Sequence, residues 1–92
     1  MQQGAGMEIR LEKIEPERNF YRFYLIRQER DLFESGSLVV QWGRIGQAGR
    51  MAIRSSGPPE RIEALFERLV RMRLRRGYAI AGAGFRSGGA AP

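Results

Sequence analysis

Leu38-Val39-Val40-Gln41-Trp42-Gly43-Arg44-Ile45, then Gly46-Gln47-Ala48-Gly49, then Arg50-Met51-Ala52-Ile53-Arg54-Ser55: this run decides the fold. Its first block is rich in branched and aromatic residues that suit a pleated strand. Gly46 and Gly49 are three positions apart and permit positive φ at either end of a short hairpin loop. The third block alternates Arg50, Ala52 and Arg54 against Met51 and Ile53, the period of a second strand.

Two further strands lie N-terminal to that hairpin. Met7, Ile9 and Leu11 alternate with Glu8, Arg10 and Glu12, as in a half-buried strand. Glu15-Pro16-Glu17-Arg18-Asn19 makes a turn, because Pro16 cannot donate to a ladder and Asn19 tolerates turn geometry. Phe20-Tyr21-Arg22-Phe23-Tyr24-Leu25-Ile26 is the next strand, and Gln28 to Ser37 reads as a charged loop. C-terminal to the hairpin the period changes to 3.6. Pro58-Pro59 opens a helix. Glu60 and Glu63 sit near the positive end of its dipole, and Arg71, Arg73, Arg75 and Arg76 crowd the negative end. Ile62, Leu65, Phe66 and Leu69, extended by Met72, form a core-facing stripe. Gly77 stops the helix, and Tyr78-Ala79-Ile80 adds a short edge strand. The expected fold is α+β: an antiparallel four- to five-stranded sheet with one amphipathic helix packed on one face. Residues 7–80 form the domain. Residues 1–6 are expected to be a flexible N-terminus and 81–92 a disordered Gly/Ala-rich tail.

Composition narrows the chemistry. Ninety-two residues allow one small domain. The chain has no Cys and no His, so thiolate zinc sites, Cys nucleophiles and imidazole acid–base work are excluded. We expect no enzymatic activity and no cofactor. Glu8, Glu12, Glu15 and Glu17 face alternate sides or sit in a turn, so no metal site is expected. No apolar run approaches the 18 or so residues of a membrane helix, and the start lacks the pattern of a signal peptide. The expected location is cytoplasmic, away from membranes. The formal charge is +6. It is carried unevenly: residues 1–40 have six bases and seven acids, net −1, and residues 41–92 have ten bases and three acids, net +7. All bases but Lys13 are Arg, whose planar fork suits phosphates and carboxylates and stacks on rings. A positive half-chain attracts polyanions.

Trp42-Gly43-Arg44-Ile45-Gly46, followed by Gly49, resembles the WGR domain. Asn19 to Leu25 is similar to that family's Asn-x-Phe-Tyr strand, and Arg75-Arg76-Gly77-Tyr78 to its basic-Gly-Tyr close after the helix. The likeness covers residues 8–80. It departs at Arg50, where many family members have Gln. The resemblance is to small stand-alone bacterial members as well as to the WGR domain of DNA-damage-dependent ADP-ribosyl polymerases. It implies a nucleic-acid-binding module in which the motif Trp packs against a terminal nucleotide and the motif Arg lies at an interface. No ADP-ribosyl transferase domain fits in the remaining residues.

Four residues are therefore the expected nucleic-acid contacts. Trp42 and Arg44 share a parity on one strand, about 7 Å apart, a flat ring beside a guanidinium. Arg50 and Arg54 share a face on the next strand. Arg44 and Arg50 are expected at or near opposite positions, repelling unless an anion lies between them. Bland alternatives stand beside these. Trp42 can be core, with Arg44 extended past it. Arg50 and Arg54 can be a solvated face. Arg61, Arg68, Arg71 and Arg75 read as a solvated helix face with neighbours such as Glu67, and Tyr78 as core. The expected function is non-enzymatic binding of nucleic acid, DNA before RNA, at ends or strand junctions, through phosphate and stacking contacts. The alternative is an adaptor docking an acidic protein partner through the Trp42/Arg44 face.

Overall fold

Period-two stretches become strands that pair with their sequence neighbours. The computed structural model describes residues 6–30 and 35–86. Strand β1 (Gly6–Glu15) leads through a single 3-10 turn (Pro16–Arg18) into β2 (Phe20–Arg30). Strands β3 (Gly36–Arg44) and β4 (Arg50–Gly57), helix α1 (Pro59–Arg75) and strand β5 (Ala79–Arg86) follow. The sheet order is β4-β3-β2-β1-β5, with every pairing antiparallel. The first four strands are a meander; α1 then carries the chain across the sheet so that β5 closes against β1. This is the expected α+β architecture with five strands.

Alternation sorts the side chains between two faces. Leu11 opposes Tyr24, Ile26 opposes Val40, and Tyr24 opposes Trp42. These residues and Leu38 face the helix, which contributes buried Ile62, Phe66, Leu69 and Val70. Leu65 and Met72 flank that stripe half-buried. Each fully buried side chain of this size stabilises by about 1.5–3 kcal/mol relative to exposure. The helix ends on a Schellman pattern: Gly77 N–H donates to the Leu74 carbonyl at 3.0 Å and Tyr78 N–H to the Arg73 carbonyl at 3.1 Å. Tyr78 is thereby folded back beside Arg73.

Every strand runs longer than expected: β1 includes Gly6, β3 starts at Gly36 and β4 ends at Gly57, and two extensions are larger. β2 continues to Arg30, because Gln28 and Leu38 remain in register across the sheet. β5 runs to Arg86, although composition predicts a disordered tail from residue 81. The ladder to β1, from Glu12↔Ala79 to Gly6↔Arg86, satisfies backbone groups without needing bulky side chains. The rest of the expected tail, residues 87–92, and residues 1–5 of the expected flexible start lie outside the described residues. No helix among the described residues is long and apolar enough to cross a membrane.

Candidate functional site

The turn after Arg44 is built on absent side chains. Gly46 and Gly49 have φ of 97° and 74°, as their spacing requires. A Cβ on Gly43 would lie 2.7 Å from the Gly49 Cα, and one on Gly49 would run into the Trp42 carbonyl oxygen. The loop thus folds back onto the strand beside the buried Phe23, the cross-strand partner of Gly43. Gln41 Nε2 donates to the Ala48 carbonyl at 2.7 Å and pins the loop from the same strand.

On the helix side, where α1 ends, a cleft of about 220 Å³ opens between sheet and helix. Its lining is Arg22, Phe23, Tyr24, Trp42, Arg54, Arg73 and Tyr78. Trp42 is half-buried: it packs against the core and also lines the cleft. Tyr24 and Tyr78 meet edge to face, centroids 6.4 Å apart. Arg73 lies over the Tyr24 ring at 4.0 Å and 5.7 Å from the Tyr78 centroid. Its Nε is buried without a hydrogen-bond partner. Arg22 lies 5.4 Å from the Phe20 centroid. Among the described residues, no carboxylate lines the cleft, and Arg22, Arg54 and Arg73 make no ion pair there. Three guanidiniums held by rings or left in solvent keep their charge available to an incoming anion.

The four sequence-derived candidates are divided by the fold. Trp42 and Arg54 line the cleft together. Arg44 does not join them: its Nη2 donates to Asn19 Oδ1 at 3.1 Å and its Nη1 to the Asn19 carbonyl at 3.4 Å. Its guanidinium lies 5.0 Å from the Tyr21 centroid. Asn19 can accept both because it sits in a left-handed conformation, φ 52°, after the 3-10 turn. Arg44 is opposite Arg22, and Arg50 is opposite Trp42, so the expected Arg44/Arg50 pairing is offset. Residues 45–49 are consumed by the turn, and the ladder resumes at Arg50. Both Arg44 and Arg50 are exposed at this end of the sheet.

The cleft also contains residues that sequence reasoning missed. Sequence order places Arg73 with the cations of the last helical turns and Arg22 on a strand. The available signal was their proximity in sequence to aromatic residues that the sheet would bring together, but only the helix docking angle decides it. Tyr78, read as core, does pack half-buried against the core and also walls the cleft. Arg61, Arg68, Arg71 and Arg75 are all exposed, the solvated helix face expected of them, and Glu60, Glu63 and Glu67 make no ion pair among the described residues. No group of three or more carboxylates that could hold a metal ion occurs among the described residues.

A small antiparallel sheet, one helix and a basic aromatic cleft at the helix end define a binding module. The family comparison agrees: the WGR domain matches residues 7–85, and the chain belongs to that family, a non-catalytic domain generally of the nucleic-acid-binding type. A relative from Sinorhizobium fredii, the uncharacterized protein y4dW, is 38% identical over 68 residues, 74% of this chain. The match covers 33% of that relative's length, so the chain spans about a third of it.

Proposed function

We propose that this protein binds nucleic acid without catalysis and takes DNA, in preference to RNA, at an end or strand junction. One observation carries the reading: Arg22, Arg54 and Arg73 line one cleft with Trp42, Tyr24 and Tyr78, and no carboxylate among the described residues lines it. A terminal or unpaired nucleotide offers what such a cleft can bind, a flat π-face for its rings and phosphate charge for its guanidiniums. An internal base pair in a closed duplex offers its phosphates but keeps its faces stacked. Stacking is worth about 1–3 kcal/mol per base and tolerates any sequence. Phosphate contacts position the ligand without reading it. Arg44 and Arg50, exposed on the rim, add charge to the approach. This role puts the protein in the cytoplasm with its ligand.

The test is a titration of one labelled duplex, blunt in one form and ligated into a fully paired covalently closed circle in the other. The blunt form is expected to bind more tightly, and the preference is expected to shrink when Trp42 is replaced by Ala. Equal affinity for the two forms overturns the end reading. Failure to bind either at about 0.1 M salt, where non-specific binders reach about 10⁻⁴–10⁻⁶ M, passes the lead to an acidic protein partner.

A further inference from the structure

Lys13 is the only lysine among 16 basic residues, and its surroundings differ from those of the cleft arginines. It stands on β1 opposite Arg22 and is half-buried. Its Nζ donates to the Arg76 carbonyl oxygen at 2.8 Å. Arg76 is the C-cap of α1, where carbonyls lack helical partners and the dipole is negative. The lysine stem fills the place a side chain would take at Gly77: a Cβ there would lie 3.3 Å from Lys13 Cε. On its other side the ammonium is 3.9 Å from Glu15 Oε2 and 5.6 Å from the Phe20 centroid.

This contact ties together residues 63 positions apart. Arg76 lies one turn beyond Arg73, and Tyr78 follows Gly77. Arg73 and Tyr78 are the helix-side wall of the cleft. We infer that Lys13 is a positioning residue: by holding the C-terminus of α1 on β1, it sets Arg73 and Tyr78 at their distance from Trp42. Lys13 itself does not line the cleft, one of its three N–H donors is held by a backbone carbonyl, and its charge faces Glu15. Its contribution to ligand binding is therefore geometric and leaves the count of neutralised phosphates unchanged. The affinity part of this inference rests on the nucleic-acid reading; the geometric part does not.

The chain has a single Trp, and it lies in the cleft, so its fluorescence reports the wall directly. The experiment compares the full chain with Lys13→Met, which keeps the stem and loses the donor, and with Lys13→Arg, which restores a charged donor. Circular dichroism checks that each is folded. Acrylamide quenching then reads Trp42 exposure without ligand, and titration with blunt duplex at several salt concentrations reads affinity and salt slope. Lys13→Met is expected to raise the quenching constant. It should also weaken binding by about two- to tenfold, the range to which one hydrogen bond's net worth converts, with the salt slope unchanged. Lys13→Arg is expected to recover most of both. Unchanged quenching in folded Lys13→Met overturns the inference. So does a slope smaller by about 0.9, which would make Lys13 a phosphate contact in its own right. If Lys13→Met loses the fold, Lys13→Thr, which suits a strand and is too short to reach the Arg76 carbonyl, takes its place under the same criteria. If the wild type binds no nucleic acid, the proposed function fails, while quenching still decides the positioning role.

Discussion

The same side chain does opposite work on the two faces of this sheet. On the open face, Arg27 lies 3.4 Å from Glu8 and 3.5 Å from Glu29, and Arg10 donates to Glu12 at 2.9 Å while covering Phe23. In the cleft, Arg22, Arg54 and Arg73 have rings or solvent beside them and, among the described residues, no carboxylate. A carboxylate beside an arginine offsets its field on an incoming anion, whereas a ring face holds the guanidinium and leaves its net charge uncompensated. Counting arginines therefore says little about where a polyanion would bind. What matters is which of them lack acidic neighbours.

The comparison depends first on a helix that covers only one face. Phe66→Ala should remove that packing and destabilise by about 3–5 kcal/mol, read by chemical denaturation. A loss under about 0.5 kcal/mol would mean that the helix does not hold the covered face. Next comes the turn that ends the Trp42 strand. Gly49→Ala should cost about 2–4 kcal/mol, since a Cβ there meets the Trp42 carbonyl on a left-handed backbone. A neutral result would show that the loop does not fold back on Gly43.

Substitutions at the arginines sharpen the contrast. Arg73→Gln should weaken binding to blunt duplex by about ten- to a hundredfold, the worth of a hydrogen bond to a charged group, and reduce the salt slope by about 0.9. An unchanged slope would remove Arg73 from the interface. Arg44→Ala should lower stability by about 0.5–1 kcal/mol through its lost bonds to Asn19, and reduce the slope less than Arg73→Gln does. A larger effect on slope than that of Arg73→Gln would move the centre of the interface to the rim. Arg10→Gln, which breaks an ion pair on the open face, should change stability by less than about 1 kcal/mol and leave the slope alone. Weaker binding in that variant would dissolve the distinction between the faces.

Much of this was legible from residue order. Alternation around Leu11, Ile26 and Val40, the Gly46–Gly49 spacing and the 3.6-residue stripe through Ile62, Phe66 and Leu69 are local signals. Each is set by backbone sterics and by the need to bury one side of an element. They determine a meander with a helix on one face, and they place Trp42 at the end of its strand. Tertiary structure decided the rest, because it depends on what arrives from far along the chain. β5 is ordered by the free edge of β1, which composition does not reveal. Arg44 turns to Asn19 because the 3-10 turn puts a left-handed asparagine within reach. Arg73 enters the cleft, and Arg71 does not, because the docked helix directs one toward the Tyr24 ring and leaves the other in water. Periodicity assigns a residue to a face; the packing of distant elements determines which charges on that face find a counter-charge.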